Sequence, residues 1–460
     1  MVINMSKRNF ILLLIVLIII VLAVLAFMFF SGSKVGTITD EGGTNFFAKF
    51  NPFGKSTPEE NSGEGSGEET SDTTIETPAS DLKLKKVSTM PVAGYGVFSK
   101  ERFKELPKPA EPVADGQFDE EEDTTPILDD SKTELPSKSI TPPSTEFATA
   151  LRYVAKETGY IYQTFADKIE ERRFSSTYIP KIHEAFFGNK SESVVMRYLK
   201  DDNRTINTFL GTLPKEVLGG DTSDTNELKG SFLPENVSGI VISPDLFNIF
   251  YTLNVGNSVV GTKAGIAGDK KNQIFSSAFT EWLLEWPTQK IITLNTKPSS
   301  GIPGYLYFLD SDKKTTSRIL SNINGLTTLT SPTGKFVLYG NDALELSVIN
   351  VSSRNITNVP IKTLPEKCIW GKNDLVIYCL APGYISSGRY PDIWYRGEIS
   401  FSDQIWKFDT TSGTTEIVID PLTVEGGEDI DGIRLMLDNN EDYLFFMNKK
   451  DSYLWELRLN

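Results

Sequence analysis

The chain has 460 residues, with 61 acidic against 46 basic side chains and a formal net charge of −15 at neutral pH. Such acidity excludes a reader of nucleic-acid backbones, which needs a clustered Lys/Arg footprint that no segment here supplies. Aromatic residues make up 11 % of the chain and Val, Ile and Thr are abundant, a composition that suits β-structure.

The first element is an unbroken apolar run from Phe10 to Phe30, preceded by Lys7 and Arg8. At 1.5 Å per residue, about 20 such residues cross a hydrocarbon core of roughly 30 Å. A cleaved signal carries an apolar core of only about 7–15 residues and a small-residue cleavage site. Here bulky Phe27, Met28, Phe29 and Phe30 close the run. The expectation is a retained signal anchor over 10–30 that contacts the lipid bilayer. Lys7 and Arg8 put the tail 1–9 in the cytoplasm and everything beyond Ser31 outside. Residues 31–80 read as a flexible acidic linker, since 55–80 is almost wholly Glu, Gly, Ser, Thr and Pro. So little apolar surface does not offset the entropy of ordering.

From 81 to 460 short β-type runs recur between turn residues. Seven segments read as the innermost strand of a repeated unit, beginning near Pro91, Ile182, Val237, Ala278, Gly325, Glu366 and Gly432. Each precedes a strongly apolar strand and then one with an aromatic stripe, and several units end on a fourth, more polar strand. A spacing of roughly 40–55 residues fits four-stranded propeller blades. The expected fold is all-β, a seven-bladed β-propeller. The last unit stops after three strands, so the lone run Leu82–Val87 is expected to supply its missing outer strand and close the ring. Two insertions lengthen the period: an acidic, Pro-rich one at 100–146, expected to be disordered, and an aromatic one at 381–402.

The pieces Ile242-Ser243-Pro244-Asp245, Thr330-Ser331-Pro332-Thr333-Gly334-Lys335 and Asn440-Glu441-Asp442-Tyr443-Leu444 carry a resemblance. They resemble the SPDGK-plus-apolar-strand element of TolB-type, WD40-like bacterial propellers, each copy in degenerate form. The layout is also similar to signal-anchored propeller proteins of small-genome bacteria. Both resemblances imply a fold, and neither implies a ligand.

Chemistry-bearing patterns are sparse. His183 is the only histidine, on a predicted inner strand, and reads as a satisfied structural residue. There is no G-x-S-x-G elbow, no phosphate loop and no dinucleotide fingerprint. Asp245, Asp374 and Glu428 are the acids expected near the channel mouths, but nothing singles out a catalytic pair. The run Glu425–Gly432 lacks the fixed spacing of a calcium loop and reads as a solvated acidic turn. No cofactor or metal site is expected. Cys368 and Cys379 flank a Gly-Lys-Asn-Asp turn that sets them almost opposite on neighbouring strands. They read as a cross-strand disulfide or as two small buried hydrophobes.

The strongest functional candidate is the second insertion, with Tyr384, Arg389, Tyr390, Trp394, Tyr395 and Arg396. Tyr, Trp and Arg bury area at low entropic cost while keeping polar handles. The alternative is that Trp394 and Tyr395 fold back as core. The sequence thus points to a non-enzymatic scaffold or receptor for an envelope protein or glycan. Its rival is a carboxylate-based polysaccharide hydrolase or lyase working in the funnel.

Overall fold

The computed structural model describes residues 83–104, 144–216, 218 and 226–459. The expected tail, anchor and linker lie outside the described residues, as does most of the first insertion. No helix among the described residues is long and apolar enough to cross a membrane.

The strands form seven four-stranded antiparallel sheets, the blades of an all-β propeller. Their innermost strands, blades 1 to 7 in turn, are Val92–Phe103, Ile182–Gly188, Val237–Ile242, Trp282–Glu285, Thr327–Thr330, Cys368–Trp370 and Gly432–Leu437. The hydrophobic core is divided into layers between blades. Leu338, Val348, Trp370 and Phe408 fill the layer between blades 5 and 6. Leu380, Ile405, Phe446 and Trp455 fill the next. Each layer exists because the inner and second strands of a blade are apolar on both faces, so both faces need a neighbour. Cys368 and Cys379 are register partners joined by a disulfide inside the layer of blades 5 and 6.

Blade 7 is assembled from Gly432–Leu437, Tyr443–Asn448, Leu454–Arg458 and, at its outer edge, Leu84–Lys86. In that outer pair Leu84 lies opposite Leu457, and Lys86 lies opposite Trp455.

The hairpin that carries the first insertion is longer than its composition indicates. Lys100–Phe103 pair in register with the partner strand, Phe103 opposite Thr145, so these residues and 145–146 belong to the blade. Local charge made them look like loop. Arg102 is neutralised by Glu146 and Asp167 and lies 4.9 Å over the Phe165 ring, which satisfies the charge within the sheet.

Inner strands of blades 1 and 2 approach so closely that Gly94 leaves no room for a side chain: an added methyl would drive into the Ala185 carbonyl. Gly94→Ala should therefore destabilise the propeller by about 1–3 kcal/mol or more, read as a lower urea midpoint with unchanged slope.

Candidate ligand-binding face

With strands antiparallel from the inside outwards, the turns after first and third strands share one face of the disc. The connections after second and fourth strands share the other, here termed the loop face. The insertion 381–402 joins Val376–Pro382 to Asp403–Asp409, second and third strands of blade 6, and so lies on the loop face.

The root of this insertion is a fully buried ion cluster. Lys367 sits in a 3-10 turn just before the inner strand of blade 6, Asp403 opens the third strand, and Asp431 precedes the inner strand of blade 7. The Lys367 ammonium donates to Asp431, to Asp403 Oδ2 at 2.7 Å and to the Gly432 carbonyl at 3.0 Å, and all three side chains are shielded from solvent. Asp431 also accepts from Trp394 Nε1 at 3.0 Å and from the Phe401 amide at 3.1 Å. Trp394 stacks on Phe401 and Phe401 on Tyr390, above Leu344 and Leu364. Lys449 lies 4.2 Å over the Trp394 ring and donates to the Trp394 carbonyl at 2.6 Å. The far side of the loop reaches blade 4, where Asp392 accepts from Ser299 Oγ at 2.8 Å and from the Ser300 amide at 2.6 Å.

The six residues expected to form a binding loop therefore divide. Tyr390 and Trp394 are core, which is the alternative reading for Trp394 and corrects the expectation for Tyr390: their rings fill the space that blade 6 leaves beside blades 5 and 7. Tyr384 is 82 % exposed, Arg389 and Arg396 are exposed, and Tyr395 is 38 % exposed. The Tyr395 hydroxyl donates to Glu366 Oε2 at 2.9 Å, and Arg396 pairs with Glu398 at 2.7 Å. Exposed Tyr178, Phe279, Ile302 and Leu422 occupy other connections of the same face.

The acids singled out in the sequence do not converge. Asp374 is buried on the opposite face, accepting from Ser331 Oγ at 3.1 Å and from Thr333, and so links the turns of blades 5 and 6. Asp245 caps its own turn through Ser243 and the Phe247 amide. Glu428 pairs with Lys86 at 2.5 Å and Asp429 with Lys450 at 2.5 Å, while Asp431 is turned inward to Lys367. The acidic run is thus shared among three lysines. His183 is not a satisfied core residue: it stands exposed at a β-bulge, where the register slips between Ile182 and Glu184.

Two other glutamates lie at the inner strands. Glu366 lies in the turn Pro365–Lys367, which packs between the inner strands of blades 5 and 7. Glu285 ends the inner strand of blade 4 and accepts from the Thr330 amide at 3.1 Å and from Thr293 at 3.3 Å. Burial pushes Glu285 up to about 7, opposed by those Thr bonds and assisted by repulsion from Glu366. Burial likewise pushes Glu366 up to about 7, against the pull of Tyr395, Lys367 and Lys449. Burial raises Asp403 to about 6, with Lys367 opposing. Neither glutamate belongs to a motif, and only the ring brings them together.

No family model matches the chain, and no curated protein matches it. Among solved structures it is similar to an oligogalacturonate lyase from Vibrio parahaemolyticus, at 9 % identity and TM-score 0.45, over 68 % of this chain and 86 % of that one. A putative 6-phosphogluconolactonase from Bacteroides fragilis is similar at 12 % identity and TM-score 0.40, over 66 % and 87 % of the two chains. No activity is carried from either to this chain.

Two outcomes follow from the geometry. Trp394→Ala should cost about 3–5 kcal/mol in denaturant unfolding, while Arg396→Ala should stay within about 0.5 kcal/mol. Glu285 and Glu366 hold protons more tightly folded than unfolded, so stability is expected to fall as pH rises from 4.5 to about 7. Melting temperatures across that window should decline, and the decline should flatten in the Glu285→Gln/Glu366→Gln double variant, which is also expected to be more stable than the parent at pH 8.

Proposed function

We propose that the chain is a signal-anchored, extracytoplasmic propeller that binds an envelope protein or glycan without catalysing a reaction on it. The apolar run 10–30 supports the anchor, and the acidic stretch 31–80 supports a tether. The pairing of Leu84–Lys86 with Leu454–Arg458 supports ring closure by the strand that follows the tether.

One observation carries the binding reading: the insertion is fixed at its root and at blade 4, yet Tyr384, Arg389, Arg396 and part of Tyr395 stay on its outer surface. A rigid loop with exposed Tyr and Arg loses little freedom on contact, and these side chains suit either a protein segment or stacking on sugar rings. Glu285 and Glu366 favour the rival, polysaccharide hydrolysis or lysis, because carboxyls raised toward neutrality suit acid–base attack on a glycosidic bond. Tyr395 is bonded across Glu366, which weighs against that use.

A photo-crosslinking residue at position 384 of the full chain, in its native membrane, tests the reading against a control at the exposed outer-strand position 417. A discrete adduct from 384 alone, lost on Arg396→Glu, is the expected result. Adducts from both positions or from neither would reject the loop face as the contact. Shortening of an envelope polysaccharide by the purified chain, abolished by Glu366→Gln, would establish the rival.

A further inference from the structure

The seam between blades 7 and 1 encloses an acid where the first described strand pairs with the last. Glu456 lies in the third strand of blade 7, with Phe445 opposite on one side and Lys85 of the outer strand Leu84–Lys86 on the other. Its chain neighbours Trp455 and Leu457 belong to the layer facing blade 6. Strand alternation therefore turns Glu456, like Leu454 and Phe445, toward blade 1. There the residue is only 1 % exposed.

Both carboxyl oxygens of Glu456 are buried, and neither has a hydrogen-bond partner among the described residues. Lys85 Nζ stands 3.8 Å from Oε1, beyond hydrogen-bond range. A carboxyl group without donors is tolerated in such a place as the neutral acid and disfavoured as the anion. The groups facing it come from every element around it: Lys85 from the outer strand, Arg458 from its own strand, Tyr443 from the second strand and Asp167 from blade 1. Asp167 is itself held by Arg102. Burial pushes Glu456 up to about 8, opposed by Lys85, assisted by Asp167 and opposed again by Arg458. The strand alongside is three residues long and tied at its ends. The Arg458 amide donates to the Lys83 carbonyl at 2.9 Å, and the Val87 amide to the Leu454 carbonyl at 2.7 Å.

We infer that Glu456 is a proton-operated clasp on the ring: as the neutral acid it lets Leu84–Lys86 lie on blade 7, and as the anion it loosens that strand. The clasp rests on the ring closure proposed above and uses none of residues 381–402. When the strand lifts, Lys85 leaves and water reaches the carboxyl, which returns to its ordinary value of 4.5. The closed form thus holds the proton more tightly than the open one. Closure is strongest below pH 4.5, weakens about tenfold per pH unit as pH rises, and levels off above 8. Loosening bares the backbone of Leu454–Arg458 as a sheet edge open to pairing with another strand.

Deuterium uptake by residues 83–88 tests the clasp, in the full chain in detergent, with wild type and Glu456→Gln compared at each pH from about 5 to 9. At one pH both proteins share the same chemical exchange rate, so the ratio of their uptake rates reads strand opening. Relative to the variant, the wild-type strand should open about tenfold more for each pH unit between about 5 and 7.5, and by a constant factor above about 8.5. Lys85→Met removes the opposing ammonium and should carry the rise to higher pH before it levels. A ratio that does not change with pH, in a strand that stays protected, would overturn the clasp and leave ring closure standing. Rapid uptake in both proteins at every pH would overturn the closure and the clasp with it.

Discussion

Lys367 carries its charge into a place without solvent, and two separate stretches of chain, at Asp403 and at Asp431–Gly432, converge to neutralise it. A buried ammonium left alone costs several kcal/mol, so Asp403, Asp431 and the Gly432 carbonyl must all be in position for the fold to tolerate it. Each stands at the start of an inner or third strand on the loop face. Meeting around one ammonium fixes how blade 6 sits against blade 7. Asp431 also takes Trp394 Nε1 and the Phe401 amide, so the insertion is ordered by the demand that orders the blades. Replacing this cluster with apolar groups of like volume is often neutral in other proteins. Here the cluster sets direction: a hydrophobic plug does not specify which indole must cover it.

The opposite face is held by other means. Turn residues there bond to the next blade: Ser331 to Asp374, Glu441 to the Lys372 amide at 2.6 Å, and Asp438 to the strand residue Thr149 at 3.1 Å. The degenerate SPDG-like copies have this physical content. Their Ser, Thr and Asp side chains close a turn and reach the next one. An Asp in such a turn is therefore occupied, which is why Asp374 and Asp245 are not free for chemistry.

The blades were legible because strand runs with apolar faces and turn residues repeat along the chain. Third strands such as Gln404-Ile405-Trp406-Lys407-Phe408 announce themselves by aromatic stripes. The outer strands Arg172–Ser175 and Lys229–Phe232 do not, because an edge strand needs little apolar surface and Gly230 weakens the pattern. The site was legible only in part. Composition marks residues 381–402 as unusual, yet nothing local tells buried Trp394 from exposed Tyr384. That distinction depends on Asp431, 37 positions further along the chain. Glu285 and Glu366 were out of reach for the same reason, since ring closure alone makes them neighbours.

The tie between Asp392 and blade 4 has a kinetic meaning. The loop is pinned at Ser299 and Ser300, at Lys449 and at Asp431, so it spans blade 5 and has no single hinge about which to swing. A surface ordered before encounter has no slow rearrangement to complete after it. Association at this face would then be governed by diffusion and orientation, and variants of its outer side chains would differ chiefly in how long a complex persists.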